Sequence, residues 1–241
     1  MDHLESESVT SEEESFVEEG ATWQSHFYEV VRATWLTRKP SALAALTVSI
    51  ASFVIILGSV LYAKNIFHAQ SWVTASNADV FARHEWWRLW LTVFVHADIA
   101  HFLSNVLLFY FLGYFLAGYF GAWVFPGAAY FFSGLINVFV LWNAPTDMQL
   151  IGASGMVYWM AGAWLTLYFI LDIQRSYFRR ILRALGVAAG VFLPASAFDP
   201  NVSYTSHLYG FIFGCFFSIG YYYLHRKRFR SAIVRELVSD E

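Results

Sequence analysis

The chain has 241 residues, of which 58% are hydrophobic, 20% aromatic and only 14% charged. A water-soluble domain of that composition could not hide its apolar surface, so residence in a membrane is expected. The net charge of −3 conceals an acidic head and a basic remainder. The bases hug the ends of apolar segments, which points to lipid headgroups and excludes nucleic acid as the partner.

Residues 1–20 carry eight acids and no lysine or arginine, unlike a cleavable secretory signal, and their polar composition predicts disorder. Trp23, Phe27, Val30, Val31 and Trp35 then recur at helical spacing. They predict either a short interfacial helix or a lead-in to the first span.

Six apolar segments follow, at 42–63, 99–119, 122–142, 153–171, 181–198 and 203–224. Each approaches the length needed to cross about 30 Å of hydrocarbon. The fifth is the weakest, because Gly186, Gly190 and Pro194 interrupt it. In lipid every backbone polar group must be paired within its own segment, so these are expected to be helices. The expected fold is an all-α integral membrane bundle of six transmembrane helices.

The loop 64–98 is long and aromatic, with Trp72, Phe81, Trp86, Trp87, Trp90 and Phe94, and is expected to lie partly in the outer leaflet. No internal repeat is visible. The economical division is an acidic N-terminus at 1–40, one six-helix domain at 41–225 and a basic tail at 226–241.

Charge predicts the orientation. Twelve of the 15 lysines and arginines fall before the first span, between spans four and five, or after span six; Lys64, Arg83 and Arg88 do not. The positive-inside rule then puts both termini in the cytoplasm, as an even number of crossings requires. The single cysteine, Cys215, lies in the last span and reads as an apolar core residue.

Two apolar segments open on groups a bilayer tolerates only with a partner or water: Gly152-Ala153-Ser154-Gly155, and Ser206-His207-Leu208-Tyr209-Gly210. Ser154 would sit at a helix N-terminus, whose free N–H groups favour a developing oxyanion. By itself the motif also fits small-residue packing with a capping serine. Gly210 and Gly214 follow His207 at i+3 and i+7, a face that lets the last span press against Gly155. That approach would bring His207 within reach of Ser154 as nucleophile and base. Tyr158, at i+4 from Ser154, either buttresses the imidazole or simply packs.

His101 and Asn105, also at i and i+4, offer side-chain donors of the kind an oxyanion hole uses. His96 is either a supporting group or interfacial. No acid is placed as a third catalytic member, so a dyad is expected. Neither Asp98 nor Asp147 makes a metal-binding spacing with the histidines, and no metal or cofactor is expected.

In order along 85–214, these motifs resemble the rhomboid family of intramembrane serine proteases. Trp87-Arg88 is similar to the Trp-Arg motif of the family's first outer loop. His96 to Asn105 is similar to the two histidines and asparagine of its second span, and Gly152-Ala153-Ser154-Gly155 to its nucleophile motif. His207, Gly210 and Gly214 are similar to the His-x-x-Gly-x-x-x-Gly of its sixth span.

The resemblance implies a Ser154–His207 dyad, with the Ser154 N–H, His101 and Asn105 stabilising the oxyanion and Gly152, Gly155, Tyr158, Gly210, Gly214, Trp87 and Arg88 in support. It implies that the substrates are transmembrane segments of other proteins, entering past span five and cut near their outer end. The loop 198–203 would cap the site, and a bacterial inner membrane would be the setting. The second span ends Gly118-Tyr119-Phe120-Gly121, without the charged residues that some bacterial members carry there. A non-catalytic, client-binding relative is the second reading, opposed by the intact serine and histidine. A proton-relay transporter is a third, opposed by the absence of a repeat and of mid-membrane charges.

Overall fold

The computed structural model describes residues 27–146, 148–192 and 203–239. Its helices are α1 (Leu43–Ala63), α2 (Arg88–Leu91), α3 (Ile99–Phe120), α4 (Ala129–Trp142), α5 (Ser154–Leu171), α6 (Tyr177–Phe192) and α7 (Tyr204–Arg230). Four short strands, β1 (Phe27–Ala33), β2 (Ala75–Ser76), β3 (Gln149–Leu150) and β4 (Val234–Ser239), make two antiparallel ribbons, β1–β4 and β2–β3.

Among the described residues, four helices are long and apolar enough to cross a membrane: Leu43–Ala63, Ile99–Phe120, Trp123–Trp142 and Ser154–Leu171. Large apolar side chains on α1 and α3, among them Phe53, Leu103 and Leu107, are more than half exposed. In water such faces would be untenable, and in a bilayer they face lipid. The chain is an integral membrane protein.

α5 lies at the centre. Every residue from Gly155 to Ala163 is buried, the signature of a helix enclosed on all sides. α7 lies along α5 in the most extensive helix pair of the molecule, while α3 and α4 flank α5 and α1 packs on α3.

The ends of the predicted segments are corrected in three places. The helix expected around Trp23 to Trp35 is, over its described part, the strand β1 followed by a turn at Trp35–Thr37. Its β-branched pair Val30 and Val31 finds a distant partner strand, with Val30 opposite Glu236 and Val31 opposite Arg235, and cross-strand pairing outweighs the local helical spacing. The fifth segment begins earlier than expected: α6 has 16 residues and takes in Arg179, Arg180 and Arg183. The last helix runs past 224 to Arg230, because cations in its final turn, Lys227, Arg228 and Arg230, favour the negative helix end. Within the basic segment 226–241, residues up to Arg230 continue α7 and Val234–Ser239 form β4. The acidic head, Asp147 and the loop expected to cap the site at 198–202 lie outside the described residues.

The first outer loop is a scaffold rather than filler. Arg88 is buried, donating to the Thr74 carbonyl at 2.9 Å and the Ser71 carbonyl at 3.1 Å while pairing with Glu85. Asn137 on α4 donates to the Leu89 carbonyl at 2.7 Å, and Asn77 donates to the Leu141 carbonyl at 2.8 Å. The loop is therefore pinned to α4 at two points, Asn77 and Leu89.

Candidate active site

Residues 149–153, the approach to Ser154, are held on three sides by the first outer loop. β3 pairs with β2, with Leu150 opposite Ala75. Thr92 Oγ1 donates to the Leu150 carbonyl at 2.6 Å, and the Gly152 N–H donates to the Thr92 carbonyl at 3.0 Å. The Ala153 N–H donates to His96 Nε2 at 3.4 Å. Gly152 has φ +109, and a Cβ there would collide with the His101 ring. Only glycine serves both demands. The chain then enters α5 with Ser154 as its first helical residue, where the opening N–H groups have no intrahelical acceptor.

His207 arrives on α7. A Cβ on Gly210 would run into the Gly155 carbonyl, and one on Gly214 into the Trp159 carbonyl. Gly155 in turn faces Ser206 Oγ. The two backbones therefore touch, and the side chains one residue or one turn above that contact converge. The Tyr158 ring stacks on the His207 imidazole, with centroids 3.9 Å apart and planes inclined by 10°. Because Ser154 lies one turn above Tyr158 on the same face of α5, it faces the same side as the imidazole. His207 Nε2 is buried without a hydrogen-bond partner among the described residues, so the Ser154–His207 hydrogen bond is not closed in this structure.

His101 and Asn105 occupy the first turns of α3. Asp98 caps that helix by accepting from the His101 N–H at 2.8 Å. The His101 ring lies against Gly152, two residues before Ser154. Asn105 is buried and spends one amide hydrogen on the His101 carbonyl at 2.9 Å, leaving its second for another acceptor. Trp87 is half exposed at the loop surface, away from this cluster, while Arg88 acts through the loop it holds. Among the described residues no three metal-binding side chains gather.

Sequence reasoning left His96 undecided. It is 3% exposed, and its Nδ1 lies 3.0 Å from Ser59 Oγ on α1 while Nε2 takes the Ala153 N–H. These bonds fit the neutral tautomer with hydrogen on Nδ1. Burial, helped by the neighbouring His101 and opposed by Asp98, lowers its pKa to about 3. His96 thus ties α1 to the residue before Ser154. The repeated histidine at His96 and His101 was the available signal; Ser59 and Thr92 carried none.

Residues 83–224, more than half the chain, match the rhomboid domain family. The chain is 31% identical over 156 residues to the RHOMBOID-like protein 1 of Arabidopsis thaliana, covering 62% of this chain and 38% of that protein. It is 26% identical over 170 residues to the candidate rhomboid protease YdcA of Bacillus subtilis (strain 168), covering 67% of this chain and 82% of that one. It therefore spans about two fifths of the plant relative and most of the bacterial one. With the match running from the first outer loop through most of α7, the chain belongs to the rhomboid family.

Proposed function

We propose that this chain is an intramembrane serine endopeptidase that cuts transmembrane segments of other proteins near their outer end. The observation carrying the proposal is the Tyr158–His207 stack above the glycine contact of α5 and α7. It holds a half-buried imidazole beside the face on which Ser154 begins its helix, the juxtaposition a nucleophile and its base require.

His207 Nε2 accepts the Ser154 hydroxyl proton as Oγ attacks the scissile carbonyl. The oxyanion is met by the Ser154 N–H and by side-chain donors of His101 and Asn105. His207 then returns the proton to the leaving amine, and water hydrolyses the acyl-enzyme by the same exchange. These steps call on no cofactor.

In this reading α6 and α7 complete six crossings. The twelve bases at one end, including those closing α7, support an orientation with both termini in the cytoplasm and Ser154 near the outer face. In this reading the setting is a bacterial inner (cytoplasmic) membrane.

Fluorophosphonate labelling of purified protein tests the site directly. The expected result is a single adduct on the peptide containing Ser154, lost in His207→Ala and kept in Tyr158→Phe. An adduct elsewhere, or one indifferent to His207, contradicts the dyad.

A further inference from the structure

At the end of the molecule opposite Ser154, a cavity of about 220 Å³ opens between the last turns of α3 and α5, the turn after β1, and α6. Phe115, Tyr119 and Trp164 form an aromatic wall, with Phe115 stacked on Trp164 at 4.9 Å. Arg175, Arg183 and Asp172 supply its charge. Asp172, 2% exposed, is already satisfied by Arg175 through bonds of 2.7 and 2.9 Å. Arg183, exposed on the other side, forms no salt bridge among the described residues. Close by, Arg38 and Arg228 stand over the two sides of the Trp35 ring at 4.3 and 4.5 Å. The local balance is therefore positive.

Thr34 makes the cavity more than a basic surface. It is 2% exposed, it lines the space, and its hydroxyl hydrogen has no acceptor among the described residues. Its backbone is fully used: the N–H donates to Thr37 Oγ1 at 3.1 Å, and the carbonyl accepts from that hydroxyl at 2.9 Å. A buried hydroxyl without an acceptor is costly, and a ligand acceptor would relieve the cost.

We propose that this cavity holds the phosphate of one anionic glycerophospholipid. Arg183 and the Thr34 hydroxyl donate to its oxygens, and the aromatic wall covers its glycerol and first methylenes. Aromatic side chains at headgroup level, with cations beside them, suit such a ligand. The site rests on the orientation proposed above only for the leaflet that supplies the lipid. Its test needs no proteolysis, so its failure would leave the protease reading untouched.

Full-length protein stripped of lipid in detergent is titrated with dioleoyl phosphatidylglycerol, and in parallel with inorganic phosphate. Bound lipid is counted by native mass spectrometry, and the shift in melting midpoint is followed. The expected result is one tightly held lipid per chain. Arg183→Ala and Thr34→Val each weaken it by about fivefold or more, whereas the exposed Arg179→Ala stays within about twofold. Thr34→Val, with that hydroxyl gone, melts no lower than wild type without lipid and gains less from lipid addition. Equal binding by all four proteins, or a loss in Arg179→Ala matching that in Arg183→Ala, overturns the site in favour of diffuse attraction. Inorganic phosphate binding as tightly as the lipid overturns the lipid as its ligand.

Discussion

The Tyr158 ring lies flat on the His207 imidazole, 3.9 Å between centroids and 10° from parallel. A flat neighbour restricts the imidazole to rotations about its own plane, which aims Nε2 without adding charge. The hydroxyl of Tyr158 is not needed for this. Tyr158→Phe should therefore cleave within about twofold of wild type, and Tyr158→Leu should lose roughly 10- to 100-fold in kcat with KM little changed. A loss in Tyr158→Phe as large as in Tyr158→Leu would assign the hydroxyl a role of its own.

Gly210 and Gly214 set the distance between α5 and α7, since a methyl on either would meet backbone that cannot move aside. Gly210→Ala is expected to destabilise the protein by about 1–3 kcal/mol through overpacking, read as a lower melting midpoint in detergent. Activity should fall further than the loss of folded protein explains, because the same contact positions His207. Gly220, also on α7, has nothing near its would-be Cβ, and Gly220→Ala should leave activity unchanged and the melting midpoint no lower than wild type.

The central pieces of this arrangement were legible from the chain alone. Glycines at i+3 and i+7 from His207 pointed to the close face of α7, whereas the i+4 relation of Tyr158 to Ser154 left open whether its ring meets the imidazole or simply packs. Both are local spacings, and helices convert local spacing into geometry directly. The β1–β4 ribbon was not legible. Its partners lie more than two hundred residues apart, as in the Arg32–Glu236 and Glu29–Arg235 ion pairs, and periodicity carries no information about a distant partner. Nor was the start of α6, where Arg179, Arg180 and Arg183 continue a helix that composition alone would end. His96 had a visible motif but no visible partner, because Ser59 and Ala153 reach it from two other segments.

His96 should leave a signature in the pH dependence of stability. Its folded pKa of about 3 lies below the ordinary histidine value of 6.5. Between those values the unfolded chain binds a proton that the folded chain refuses, so stability falls as pH drops from 6.5 toward 3 and is complete above 6.5. His101 and Asp98 are the titratable groups facing it. Melting midpoints of wild type should drop faster across this range than those of His96→Gln, by at most about 1.4 kcal/mol per pH unit. Parallel profiles would show that His96 is not held neutral.

Arg88 supports the nucleophile turn at a distance. It carries carbonyls of 71 and 74, on the segment leading into β2, and β2 pairs with β3 ahead of Ser154. Arg88→Ala leaves Glu85 and two carbonyls short of a donor and is expected to cost about 3–5 kcal/mol. Arg88→Lys should recover only part of this, since one ammonium cannot span the fork. Thermal melting followed by peptide mapping after limited proteolysis would locate the loosening in the first outer loop.

The most direct test of the account is cleavage of a transmembrane substrate by purified protein in liposomes, with wild type beside Ser154→Ala and His207→Ala, each confirmed to be folded. The account predicts cleavage near the outer end of the substrate by wild type alone, with either variant lower by at least about 10³-fold. Cleavage that survives Ser154→Ala in a preparation free of other proteases would contradict it.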